Sequence, residues 1–191
     1  MTSKSPPTNN PVVKASDHLT ARTGRTPKTP FRGNPDLFGR LVEDHDLHRH
    51  LLALISETTG ASDDRKRIFK ELVLELKAHA AAEEQALWSS VMRNPKTTET
   101  ARHAVAEHKE IDEMLADLAA RDMASPTWLR RFHQLKEEYL HHIKEEEQEQ
   151  FRDAQTHLTS VDISYMEKFF AARKQAEKKS AKVERKIKLS K

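Results

Sequence analysis

Apolar residues recur along this chain every three or four positions, in four long stretches separated by short polar breaks. The stripes read Phe38, Leu41, His45, His48, Leu52, Ile55; then Ile68, Leu72, Leu76, His79, Glu83, Leu87; then Ala104, His108, Ile111, Leu115, Leu118; then Phe132, Leu135, Tyr139, His142, Glu146. This spacing predicts helices from Asn34-Pro35-Asp36 to Thr59, from Ser62-Asp63-Asp64 to Asn94-Pro95, from about Thr97 to Asp122, and from Ser125-Pro126 to about Thr156. Asp, Ser and Pro suit helix starts, and Gly60 and Pro95 suit stops. A fifth helix is expected from Asp162 to about Lys182, with the apolar positions Val161, Ile163, Met166, Phe169 and Phe170 packing it on the others or forming a dimer contact. Short connections make sequential helices antiparallel. The predicted fold is therefore all-α: an up-down-up-down four-helix bundle over 35–160, with a C-terminal helix and basic tail over 161–191. Residues 1–34, rich in Pro, Thr, Ser and Lys, read as a disordered basic tail.

The bundle contains an internal repeat with an offset of 63 residues. His79-Ala-Ala-Ala-Glu83 becomes His142-Ile-Lys-Glu-Glu146, Trp88 becomes Phe151, and His45 becomes His108. Residues four apart share a helix face, so each His-x-x-x-Glu unit points both side chains toward the core. A buried carboxylate costs several kcal/mol unless it is paired or bound to metal. Four imidazoles and two carboxylates on inward stripes therefore point to divalent first-row metals, with His45, His79, Glu83, His108, His142 and Glu146 as candidate ligands. The Glu-x-x-His motif of ferritin-like bundles occurs once, at Glu138 and His141, and is not repeated, which argues against that architecture.

Composition narrows the chemistry. The chain has no cysteine, which excludes disulfides, thiolate zinc sites and iron–sulfur clusters, and 11 histidines in 191 residues. No apolar run approaches a membrane span and no secretory leader is legible, so the expected location is cytoplasmic, without a membrane partner. The net charge of +3 conceals a net +5 over residues 1–34 and +7 over 173–191, leaving −9 between them. These tails offer charge to a nucleic acid but lack interleaved aromatics, which argues against specific binding.

The segments "EDHDLHRHLLAL", "HAAAEEQALW", "AEHKEIDEML" and "HHIKEEEQEQF" resemble the hemerythrin-like, or HHE cation-binding, family over about residues 36–156. The resemblance implies a non-haem centre of two iron ions of the Fe–O–Fe type, with Mn or Zn able to take the same ligands, in which Glu83 and Glu146 bridge the metals and the four histidines cap them. Oxygen-carrying members have a further histidine one turn before position 108, where this chain has Ala104. His48 and Asp112 are the candidate replacements or outer neighbours. Glu84 and Glu147 recur in the repeat and read as helix-surface or outer-sphere groups, while His50, His133, His141 and His157 read as surface residues. The implied function is binding of O2, or reaction with O2, NO or peroxide, in sensing or stress response. Any enzymatic activity would then be redox chemistry at the metals. The second reading is iron storage or donation, or a basic-tailed nucleic-acid or protein-binding module with a structural metal site, in a monomer or homodimer.

Overall fold

The computed structural model describes residues 31–189, with side chains to residue 181. The N-terminal tail up to residue 30 and the basic side chains beyond 181 lie outside the described residues. Helix α1 spans Leu37–Ser56. Helix α2 spans Asp63–Glu83 and continues through a π-helical turn, Glu84–Trp88, into a last α-helical stretch, Ser89–Val91. Helix α3 spans Thr98–Ala119. Helix α4 spans Pro126–Glu145 and likewise continues through a π-helical turn, Glu146–Gln150, to Phe151–Thr156. Helix α5 spans Ser160–Leu189 and lies mainly along α2, with contacts to α1. The fold is the expected helical bundle with a C-terminal helix; α5 runs beyond the expected end at about Lys182 because residues 183–189 hold no Gly or Pro and include Lys, Arg, Glu and Leu, which tolerate helix well.

Helix starts follow local chemistry. Asp36 accepts a hydrogen bond from Gly39 N at 3.0 Å, Ser62 accepts from Arg65 N, and Ser125 accepts from Thr127 N ahead of Pro126 in the first turn. Gly39 is required by close approach: a Cβ there would sit 1.9 Å from the Asn34 carbonyl oxygen. Gly60, with φ +56°, makes the turn between α1 and α2.

Two apolar clusters fill the interior. One gathers Phe31, Leu37, Phe38, Leu41, Leu87, Trp88, Phe151 and Phe170. The other gathers Leu52, Ile55, Leu72, Leu115, Trp128, Phe132 and Leu135. Phe31 lies within the stretch that composition assigns to the tail, yet its ring is buried, with its centroid 5.0 Å from that of Phe38. Along each of the first four helices the chain leaves one cluster, passes through histidine or His/Glu positions, and enters the other. The polar residues thus form a layer across the bundle, with dry core above and below. Helices α1 and α2, and α3 and α4, pack closely, whereas the Asp63–Glu83 part of α2 touches α3 sparingly and leaves a cleft between them.

Candidate metal centre

The structure brings the six motif residues together in that layer. His45, His79, Glu83, His108, His142 and Glu146 come from four helices and all are buried. Their Nε2 atoms face the two carboxylates: His45 to Glu146 at 3.3 Å, His79 to Glu83 at 3.4 Å, His108 to Glu83 at 3.5 Å and to Glu146 at 3.8 Å, and His142 to Glu146 at 3.5 Å. All four carboxylate oxygens, and His108 Nε2, have no hydrogen-bond partner. Orphaned buried acceptors of this kind are rare in proteins and call for an explanation.

The other ring nitrogen of each histidine is held. His45 Nδ1 lies 2.9 Å from Glu147 Oε1, His79 Nδ1 3.1 Å from Asp44 Oδ2, His108 Nδ1 3.0 Å from Glu84 Oε1, and His142 Nδ1 3.0 Å from Glu107 Oε2. A carboxylate beside Nδ1 makes that nitrogen the N–H donor and leaves a lone pair on Nε2. The four lone pairs then point inward. His45 Nε2 and His79 Nε2 stand only 3.3 Å apart, an arrangement that repels unless a cation or proton lies between them.

These outer carboxylates obey the sequence repeat. Asp44 corresponds to Glu107 and Glu84 to Glu147, so each half of the bundle supplies the same pairs under an approximate two-fold. Glu84 and Glu147 recur within the quoted motifs. Asp44 and Glu107 are not among the residues that the motifs single out, although each is acidic and immediately precedes a motif histidine.

The electrostatics of the protein groups alone are frustrated. Burial and the neighbouring Glu83 push the Glu146 carboxyl well above the usual range. For Glu83, burial acts in the same direction but is outweighed by the adjoining imidazoles of His79, His108 and His142, so its carboxyl is held low. Burial depresses His45, His48 and His142, in the last case against the pull of Glu107. His79 is raised because Asp44 and Glu83 overcome its burial. A site holding multivalent cations would remove this conflict, since all ligands could then take their metal-binding form. The donor set of neutral imidazoles and carboxylates fits such an occupant.

The remaining candidates fall into different places. His48 is buried in the same layer, with Nδ1 2.6 Å from the Tyr139 hydroxyl and its ring centroid 5.1 Å from that of His79. Its Nε2 has no hydrogen-bond partner. Asp112 is not brought to the centre; it is half exposed and pairs with Lys77 at 2.6 Å. Ala104, at the position of the fifth histidine, is buried in the apolar cluster. His133 and His141 are exposed, but His50, expected at the surface from its polar repeat partner Glu113, is buried.

The α2–α3 cleft leads from solvent to this layer. It encloses about 290 Å³ and is lined by His79, His108 and Tyr139 at its inner end, by Leu76, Val105 and Ile111 along its walls, and by Lys77, Lys109 and Asp112 among its charged groups. Burial, together with Glu146 and Glu83, raises the Tyr139 phenol well above its usual range, so it keeps its proton at neutral pH.

The sequence profile of the hemerythrin HHE cation-binding domain matches residues 36–154, and the chain belongs to that family. In three dimensions it is similar to the crystal structure of a hemerythrin HHE cation binding domain-containing protein from Mycobacterium kansasii, with a TM-score of 0.64 and 22% identity over 76% of this chain and 89% of the other. At that identity the likeness concerns the fold. No match to a curated protein sequence was found. Family membership and the clustered His and Glu side chains make this a cation-binding domain. Among the described residues, no helix is long and apolar enough to cross a membrane.

Proposed function

We propose that the buried layer holds two iron ions and that the protein uses them to react with O2, NO or peroxide. The observation that carries this reading is the convergence of four imidazole Nε2 atoms on four carboxylate oxygens that have no hydrogen-bond partner. His45, His79, His108 and His142 would be the terminal ligands, and Glu83 and Glu146, which sit between them, would serve both metals. Two carboxylates at the centre of a set of imidazoles suit a pair of divalent or trivalent ions better than one. When bound, the iron pair would supply electrons to a small oxidant.

What the chain itself contributes is positioning and access. The four outer carboxylates fix the tautomer and orientation of each imidazole. The apolar clusters above and below exclude bulk water from two sides. The cleft, of about 290 Å³, offers small ligands a way past His79 and His108. Its charged rim admits water, which favours reactions that consume protons over long-lived storage of O2. Ala104 supports the same choice, because the imidazole of oxygen carriers is replaced there by a methyl group.

The test is to reduce the iron-loaded protein without air and add excess peroxide, or NO. Rapid change in the iron absorption bands, followed by catalytic loss of peroxide or a stable nitrosyl spectrum, is expected. A reversible O2 spectrum with no peroxide or NO response would replace this reading with oxygen carriage.

A further inference from the structure

Outside the buried layer, a second group of ligating side chains gathers on the α3–α4 seam. His103 Nε2 lies 3.3 Å from Glu145 Oε2 and 3.6 Å from Glu107 Oε1, and His141 Nε2 lies 3.2 Å from Glu145 Oε1. One donor atom from each of His103, Glu107 and Glu145 lies within 4.8 Å of the others, the spread of a coordination shell. The two histidine side chains are 57% and 61% exposed, while Glu107 is only 17% exposed. The group is thus open on one side and anchored on the other.

Comparison of the two halves of the repeat shows what this half lacks. Asp44, the counterpart of Glu107, also touches a core histidine, and its charge is met from outside by Lys174 of α5, with Nζ 2.5 Å from Oδ2. On the other half, among the described residues, no helix lies over the seam with a lysine. Neither Glu107 nor Glu145 has a Lys or Arg ion pair among the described residues. The positions equivalent to His103, His141 and Glu145 are Arg40, Ala78 and Ala82, so the ligating group belongs to one half alone. Where the first half places a fixed ammonium, the second places two imidazoles and a second carboxylate.

We propose that the α3–α4 seam is a separate, outer site for a divalent first-row cation such as Zn2+ or Fe2+, formed by His103, Glu107 and Glu145, with His141 as a fourth donor. Its mixture of nitrogen and oxygen ligands selects these ions over Mg2+ and Ca2+. Three or four donors with solvent at the remaining positions bind a metal that exchanges. Glu107 joins the two sites: its Oε1 faces His103 and its Oε2 lies 3.0 Å from His142 Nδ1. A cation at the seam therefore draws electron density from the carboxylate that orients a core imidazole. That coupling rests on the buried centre proposed above; the outer site itself does not.

Zinc titration of the full-length, iron-loaded protein tests the proposal, with His103→Ala/His141→Ala as the comparison. Both positions are exposed, so the variant keeps its fold and its iron. The wild type should take up one Zn2+ per chain beyond its iron, and the variant should bind it more than about tenfold more weakly. Zinc uptake of equal stoichiometry and affinity in the two proteins, or none in the wild type, overturns the outer site. Zinc uptake through His103 and His141 in a protein that cannot be loaded with iron would sink the buried centre and leave the outer site standing.

Discussion

His45 and Glu147, 102 residues apart in sequence, meet inside the bundle with Nδ1 2.9 Å from Oε1. Arg49 Nη2 donates to the same oxygen at 2.9 Å, so the carboxylate is held from both sides. The equivalent pair in the other half, His108 and Glu84, is formed at 3.0 Å without an arginine, and Glu84 is partly exposed. The two halves therefore tie down their first imidazoles with unequal rigidity.

Removing these anchors should loosen metal without unfolding the bundle. Glu147→Ala and Glu84→Ala are each expected to lower metal affinity by about 10- to 100-fold, as outer-sphere partners of metal histidines do. Glu147→Ala should have the larger effect, because it also leaves Arg49 without its inner partner. Competition with a chelator of known affinity reads the difference.

Without metal, the centre should be a burden on the fold. Glu146 is raised well above its ordinary 4.5, so the folded state holds a proton that the unfolded chain has released. Stability contributed by that position therefore falls as pH rises from the unfolded value through the folded one. Glu146→Gln removes the dependence. The metal-free variant should be more stable than metal-free wild type, by an amount growing by up to about 1.4 kcal/mol per pH unit above the ordinary carboxylate range. Urea unfolding at several pH values measures it; an equal gap at pH 5 and pH 7 would contradict it. In the metal-loaded protein the order reverses, because the variant loses a ligand.

The cleft between α2 and α3 is the expected entrance. Ala80 lines it, and Ala80→Phe should narrow it while leaving the metal content unchanged. Stopped-flow mixing with azide or NO should show slower binding, with little change in the final spectrum. Unchanged rates would mean that ligands enter elsewhere.

Gly39 has a structural duty remote from the centre. Gly39→Ala would drive a Cβ into the Asn34 carbonyl, 1.9 Å away, and force the start of α1 off Asn34. A loss of about 1–3 kcal/mol is expected, measured as a lower thermal midpoint at unchanged metal stoichiometry.

Much of this was legible in the sequence. The repeat register placed His45 with His108, and His79-x-x-x-Glu83 with His142-x-x-x-Glu146, and the helical period turned all six inward. The structure collects them in one layer. His48 was readable as an inward residue because its repeat partner, Ile111, is apolar, but its bond to Tyr139 was not, since nothing in a one-dimensional pattern sets the rotation of α4 against α1. Asp44 and Glu107 were overlooked because single acidic residues flanking a stripe look like solvated ones. Only the packing of α2 beside α1, and of α4 beside α3, shows each reaching the imidazole on the next helix. Phe31 was hidden by its surroundings, a lone aromatic among Pro, Thr and Lys. The burial of His50 has no counterpart in its repeat partner, so periodicity alone could not reveal it.

The most direct test of the account is the metal content of protein purified without added metal and then reconstituted with iron, compared with Glu83→Ala/Glu146→Ala. About two irons per wild-type chain are expected, with near-ultraviolet bands of a bridged iron pair that disappear in the variant. A wild-type protein that is folded yet refuses iron, manganese and zinc alike would contradict it, and the buried histidines would then be a structural polar layer.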